Sequence, residues 1–218
     1  MEDLRDDLRH PREALQGRIR VFCSVTASYF LLPEVLGRFR HRYPQLELKL
    51  ETGDAALAVD KVLQEETDIA IAARPDALPA RLQYCLLQRV PLVFIAPRNS
   101  TNVSQWLKDG EPDWSQVPLI VSQQGLSRKR CDQWFRNKGI SPNIYAEVAG
   151  NEAIVSMVTL DCGIGLVPEA VIEHSPLGSQ VRVIQPVPAL KPFEVGFCVL
   201  KRRLDEPLIQ AFWQMVQQ

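Results

Sequence analysis

Hydroxyl and amide side chains stand at three places in the sequence where a predicted strand ends and a helix follows. Such a turn presents backbone N–H groups and the positive end of a helix dipole, so it can bind a carboxylate, a sulfate or a phosphate. Serine, threonine, asparagine and glutamine add side-chain donors to the same turn. The candidate ligand-binding residues are Ser24, Thr26, Ser28, Gln124, Ser127, Arg128 and Asn151.

Two interpretations of these turns remain open. Serine and asparagine are also common helix N-caps, and we predict that Ser127 and Asn151 cap the helices that follow them. Arg128 comes just after a Gln-Gln-Gly turn, where a guanidinium would form charge-assisted bonds with an anion. We interpret Lys129 and Arg130 as the solvated side of the same helix.

Other kinds of chemistry have little support in the sequence. The histidines, His10, His41 and His174, lie outside the candidate turns, so a nucleophile there would lack a base. The five cysteines are scattered, and no metal-ligand spacing occurs. Gly163-x-Gly165 lacks the spacing and the following helix of a dinucleotide fingerprint. We therefore expect no catalytic residue, no metal and no cofactor.

Hydrophobic periodicity predicts which elements position these turns. Strands at 18–25, 46–52 and 68–73 alternate with helices whose apolar residues recur at helical spacing. A second β-α-β-α-β run starts near residue 119. Parallel strands joined by helices define an α/β fold. The C-terminal helix, opened by Pro207, is expected to return and cover the first half of the chain.

The pattern predicts two Rossmann-like lobes joined by two crossover segments, near residues 90 and 193. Lobe I consists of 17–90 and 194–218, and lobe II of 91–193. The carboxyl ends of the strands in both lobes face a common cleft, which brings the candidate turns together.

Composition limits the class of protein. The chain has 218 residues, with 25 basic and 26 acidic side chains and a formal net charge of −1. Near-neutrality argues against a chain that coats nucleic acid or an anionic membrane. The sequence contains no apolar run long enough to span a bilayer and no secretory signal. Together with the unpaired cysteines, this predicts a cytoplasmic protein.

Several short motifs together resemble one family. They are Leu31-Leu32-Pro33, Phe39, Tyr43-Pro44, Asp68-Ile69-Ala70-Ile71 and Gly163-Ile164-Gly165-Leu166-Val167-Pro168. In this combination residues 17–218 resemble the effector-binding domain of LysR-type transcriptional regulators. That family usually has glycine before the Asp of the Asp-Ile-Ala-Ile motif, whereas Glu66-Thr67 stands there in this chain.

The resemblance implies a fold like that of type II periplasmic binding proteins, with a ligand between the lobes. It implies a homodimer of this domain through the 30–42 helix and the helices of lobe II, and a homotetramer of the full-length regulator. Promoter DNA would be bound only by an N-terminal helix-turn-helix that this chain lacks, and residues 1–16 would end the linker helix.

A closer resemblance, to family members that control isoleucine and valine synthesis, extends over segments such as TGDAALAVDKV and NEAIVSMVTLDCGIGLVPE. It implies a small anionic metabolite as inducer, acetolactate or acetohydroxybutyrate. The alternatives are a free-standing solute-binding protein for small anions and an enzyme acting on a small organic acid.

Overall fold

Strands and helices alternate along the chain and build two lobes, each around a five-stranded sheet. Residues 15–108 and 111–217 are described in the computed structural model. The prediction of a linker-helix end at residues 1–16 therefore falls almost wholly outside the described residues.

The first part of the chain forms β1 (Gly17–Cys23), α1 (Val25–Phe30), α2 (Leu32–Arg42), β2 (Leu46–Thr52), α3 (Ala58–Leu63), β3 (Ile69–Ala73) and β4 (Leu82–Val90). The middle part forms β5 (Leu92–Pro97), β6 (Leu107–Lys108), β7 (Glu111–Pro112), β8 (Pro118–Ser122), α4 (Gly125–Lys138), β9 (Asn143–Val148), α5 (Asn151–Thr159), β10 (Ile164–Pro168), α6 (Glu169–His174) and β11 (Val181–Ile184). The last part forms β12 (Phe193–Leu200) and α7 (Pro207–Val216).

The two sheets have related topologies. In lobe I the spatial order is β2-β1-β3-β12-β4, and in lobe II it is β11-β5-β10-β8-β9. In each sheet three neighbouring strands are parallel, and the other strands run antiparallel to their neighbours. The chain passes between the sheets at Pro91 and again between β11 and β12. The predicted fold class, two α/β lobes joined by two crossovers, is confirmed.

Local sequence explains where several helices begin and end. Pro33 lies in the first turn of α2, where its missing N–H costs nothing. Gly139 ends α4 in the left-handed conformation, with φ 66°, which glycine adopts without strain. Pro207 starts α7 in the same way that Pro33 starts α2.

The C-terminal helix belongs to lobe I. Phe212 and Ile209 of α7 are buried with Ile19 of β1 and Phe39 of α2 in one hydrophobic cluster. The rings of Phe39 and Phe212 meet edge to face, with centroids 5.2 Å apart. The predicted return of this helix to the first half of the chain is thus confirmed.

A buried ion-pair network joins three segments of lobe I. The carboxylate of Asp68 accepts hydrogen bonds from the backbone N–H of Arg20 at 2.7 Å and from the guanidinium of Arg203 at 2.6 Å. Burial would raise the pKa of Asp68, but the hydrogen bonds from Arg20 and Arg203 outweigh it and lower the pKa. The segment that leads into α7 is therefore held to β1 and β3 by charge-assisted bonds.

Two helix starts differ from the prediction. Helix α4 begins at Gly125, two residues before Ser127, and helix α5 begins at Asn151 with Gly150 as its N-cap. Gly125 and Gly150 have φ angles of 84° and 85°, which other residues rarely adopt. Each helix therefore starts directly after the strand-to-helix turn, and neither Ser127 nor Asn151 is an N-cap.

No helix in residues 15–108 and 111–217 has both the length and the apolar character needed to cross a membrane. Within the same residues, His, Cys, Asp and Glu side chains form no group of three or more that could hold a metal ion.

Candidate functional site

A cavity of about 430 Å³ lies between the lobes. Its lobe I wall comes from residues in the segments 54–60 and 73–77, and its lobe II wall from residues in 122–129 and 150–151, with Phe193 between them. Helix α4 has 14 residues and helix α5 has nine, and the first turn of each borders this inter-lobe cavity. Their free N–H groups and dipoles favour an anion on the lobe II side.

Three of the residues proposed from sequence line the inter-lobe cavity. Gln124 precedes α4, and Ser127 and Asn151 lie in the first turns of α4 and α5, which follow the neighbouring strands β8 and β9. Ser122 and Lys129 line it as well. The two turns of lobe II therefore supply amide, hydroxyl and ammonium donors to one space.

Lys129 is exposed, as the sequence predicts, and it also lines the cavity. Helix α4 has its N-cap at Gln124, three residues before the predicted cap at Ser127, so its first turn reaches the cavity. Leu126 and Lys129 are three residues apart and both line the cavity, as neighbours on one helix face do.

Opposite charges face each other across the cavity. The lobe I wall carries Asp54, Asp60 and Asp76, whereas Lys129 is the charged residue of the lobe II wall. An anionic group therefore meets favourable electrostatics at lobe II and repulsion at lobe I. A hydroxyl group could donate to the lobe I carboxylates.

Ser24 and Ser28 are engaged within their own helix. Ser24 is the N-cap of α1, with its Oγ accepting a hydrogen bond from the Ala27 N–H at 3.2 Å. The Ser28 hydroxyl donates to the Val25 carbonyl at 2.6 Å. Neither residue lines the inter-lobe cavity.

Arg128 lies outside the cavity lining. Its Nη1 donates to Glu147 at 2.6 Å and its Nε to Asp132 at 3.0 Å. The hydrogen bond to Glu147 raises the pKa of Arg128, although burial opposes it. These partners fix the guanidinium against β9 and its own helix.

The sequence predicts a solvated Arg130, but its side chain is only 9% exposed. Its Nη1 donates to the Lys191 carbonyl at 2.6 Å, and its guanidinium lies 4.7 Å from the Phe193 ring centroid. Burial lowers the pKa of Arg130, with Asp76 opposing that effect. Arg130 therefore ties α4 to the second crossover.

Thr26 makes a contact that spans the lobes. Its backbone N–H and its Oγ1 both donate to Oε1 of Glu152, at 3.1 and 2.7 Å. Thr26 belongs to α1 of lobe I and is buried, whereas Glu152 belongs to the first turn of α5 in lobe II. No sequence pattern pointed to Glu152, because the two residues are 126 positions apart.

The family of the chain follows from comparison with known proteins. Residues 12–218 match the family described as LysR substrate binding domain, and the chain belongs to this family. Its fold, with two α/β lobes around a cleft, agrees with that membership.

Two curated relatives are more specific. The chain is 45% identical over 218 residues to the "HTH-type transcriptional activator IlvY" of Salmonella typhimurium, covering 99% of this chain and 74% of the relative. It is 44% identical to the "HTH-type transcriptional regulator IlvY" of Escherichia coli, with 99% and 73% coverage. These relatives are regulators of transcription, and the chain is a regulatory domain rather than an enzyme.

Solved structures share the fold at low sequence identity. The regulatory domain of Synechocystis CcmR in complex with 2-PG has a TM-score of 0.76 at 22% identity, covering 93% of this chain and 96% of that one. The effector binding domain of QuiR in complex with shikimate has a TM-score of 0.74 at 20% identity, with the same coverage.

Proposed function

We propose that this chain senses acetolactate or acetohydroxybutyrate for a LysR-type activator of isoleucine and valine synthesis, and that it acts in the cytoplasm. Support for the pathway comes from the IlvY relatives. The observation that carries the ligand site is the inter-lobe cavity, bordered by two helix N-termini and by Lys129. A small carboxylic acid matches both its size and its donors.

The charges of the cavity walls orient the proposed inducer. Its carboxylate points to lobe II, toward Lys129 and the first turns of α4 and α5, because three aspartates occupy the other wall. Gln124, Ser127 and Asn151 then donate to the carboxylate or to the ketone. The inducer's hydroxyl donates toward lobe I, where Asp54 is an acceptor.

The proposed ligand shell is Gln124, Ser127, Lys129 and Asn151. The other candidates from the sequence, Ser24, Thr26, Ser28 and Arg128, already have protein partners. None of these four lines the inter-lobe cavity, and the hydroxyls of Thr26 and Ser28 already donate to protein acceptors. We therefore leave them outside the shell.

Calorimetric titration with acetolactate tests this function. We expect binding by the wild-type chain and roughly 10–100-fold weaker binding by Lys129→Gln, because one charge-assisted bond is lost. Arg136→Gln on the same helix is the matched control, since Arg136 is exposed and lies outside the cavity. Absence of heat at millimolar acetolactate would refute the inducer assignment, and equal losses in both variants would refute the site.

We further propose a homodimer of this domain, in which β2 and α2 of one copy face β9 and α4 of its partner. Both strands are sheet edges, and Leu48, Leu50 and Tyr145 on them are exposed. Unpaired edges with exposed apolar residues invite a partner. In the full-length regulator two such dimers would form a homotetramer, with promoter DNA bound by a separate helix-turn-helix.

A further inference from the structure

The carboxylate of Glu152 bridges the two lobes beside the inter-lobe cavity. It accepts two hydrogen bonds from Thr26, from the backbone N–H at 3.1 Å and from Oγ1 at 2.7 Å. The Thr26 amide lies in the first turn of α1, where a helix provides no partner for it. Glu152 supplies that partner from the other lobe.

The lobes also touch at other places. The rings of Phe30 in lobe I and His174 in lobe II stack with centroids 5.0 Å apart. In the cavity wall, Gln124 Nε2 lies 3.4 Å from Asp54 Oδ2. A Cβ added to Gly125 would lie 2.6 Å from the Cβ of Ala56. The lobes are thus in contact at several places besides Glu152.

Among these contacts the bond to Glu152 is the strongest by type. It has an ionised acceptor and two donors, and charge-assisted bonds are stronger than neutral ones. The Gln124–Asp54 contact is long and exposed, and the stacked rings contribute only modestly. Loss of Glu152 would also leave the polar groups of buried Thr26 without their partner.

We propose that Glu152 is a positioning residue that latches the two lobes together beside the inter-lobe cavity. The latch consists of Glu152 Oε1 and the two donors of Thr26. By keeping the walls of the cavity in place, it reduces the conformational entropy that a ligand must otherwise overcome. This role requires no particular identity for the inducer.

The latch is tested on the chain without effector. Glu152→Ala removes the acceptor, Glu152→Gln keeps an oxygen acceptor without the charge, and exposed Glu173→Ala on α6 is the matched control. Hydrogen exchange of the Thr26 amide, followed by NMR, reports the bond itself. The radius of gyration from X-ray scattering reports the separation of the lobes.

We expect the Thr26 amide to exchange about tenfold faster in Glu152→Ala, because the amide loses its hydrogen-bond acceptor. The effect is limited to this size because the Glu152 carboxylate is exposed and water screens its charge. The radius of gyration should increase in the same variant, with Glu152→Gln intermediate and Glu173→Ala like the wild type. Unchanged exchange would show that the bond is not formed in solution. Faster exchange with an unchanged radius of gyration would show that it does not hold the lobes. Either result overturns the proposal, whether or not acetolactate binds.

Discussion

Asp161 shows how one carboxylate can organise a loop. Its two oxygens accept hydrogen bonds from the Ser100 hydroxyl at 2.7 Å and from the backbone N–H groups of Thr101, Asn102 and Val103 at 2.7–3.2 Å. Burial alone would raise its pKa, but these donors outweigh that effect and lower the pKa to about 2. The loop after β5 is thereby fixed to the end of α5.

Replacing Asp161 by Asn tests this contribution, because asparagine tolerates the residue's φ of 59°. We expect a loss of about 1–2 kcal/mol in the free energy of unfolding at neutral pH. Since the folded-state pKa is depressed, the carboxylate stabilises the fold above about pH 4, and this contribution disappears as the pH falls toward 2.

Urea unfolding at pH 7 and near pH 3 provides the measurement. The difference between the wild type and Asp161→Asn should shrink at the lower pH, whereas exposed Asp205→Asn should match the wild type at both. A difference that stays constant across this range would show that the Asp161 charge does not stabilise the loop.

The candidate site residues show which side-chain positions could be predicted from the sequence and which could not. Gln124, Ser127 and Asn151 reach the inter-lobe cavity as expected, because a strand-to-helix turn in an α/β lobe always faces the cleft. Ser24 occupies an equivalent turn but caps its own helix. Ser24 is the N-cap of its helix, whereas Ser127 lies within the first turn of α4, and residue type alone does not distinguish these two positions.

At the scale of elements, the Gly-x-Gly motif before Pro168 has a packing role. Gly163 has φ 158°, and a Cβ there would lie 2.4 Å from the Pro118 carbonyl oxygen. A Cβ on Gly165 would lie 2.3 Å from Cγ2 of Ile154 in α5. The glycines thus let β10 lie directly against β8 and beneath α5.

Gly165→Ala is therefore expected to overpack this contact and to cost about 1–3 kcal/mol. Gly37→Ala in α2 is the control, since a Cβ at Gly37 meets nothing within 4 Å. This control should instead stabilise the fold by up to about 1 kcal/mol, through helix propensity. Urea midpoints measure both, and a neutral Gly165→Ala would contradict the packing role.

The order of strands and helices was predictable because apolar periodicity reports burial directly. Helix starts were less predictable: α4 begins at Gly125 because a glycine with positive φ allows the helix to follow the strand at once. The apolar residues of α4, Cys131, Trp134 and Phe135, are buried as their helical spacing predicts. The sequence did not indicate that exposed Lys129 also lines the cavity, or that Arg130 packs against Phe193.

At the scale of the whole molecule, both sheets end in an unpaired edge strand, β2 in lobe I and β9 in lobe II. If these edges form the proposed dimer, Leu48→Glu should give monomers in sedimentation velocity, because a charge would enter the interface. Leu160→Glu is the matched control, as this leucine is 70% exposed and belongs to neither edge strand. A dimer that survives Leu48→Glu would place the interface elsewhere.

We propose above that a small 2-aceto-2-hydroxy acid binds between the lobes of this chain. Hydrogen exchange measured by mass spectrometry, with and without acetolactate, tests it most directly. We expect slower exchange in peptides that cover 54–60, 122–129 and 150–151, the walls of the inter-lobe cavity, and no change with valine. Unchanged exchange in all three segments, or protection confined to other parts of the chain, would contradict binding in the inter-lobe cavity.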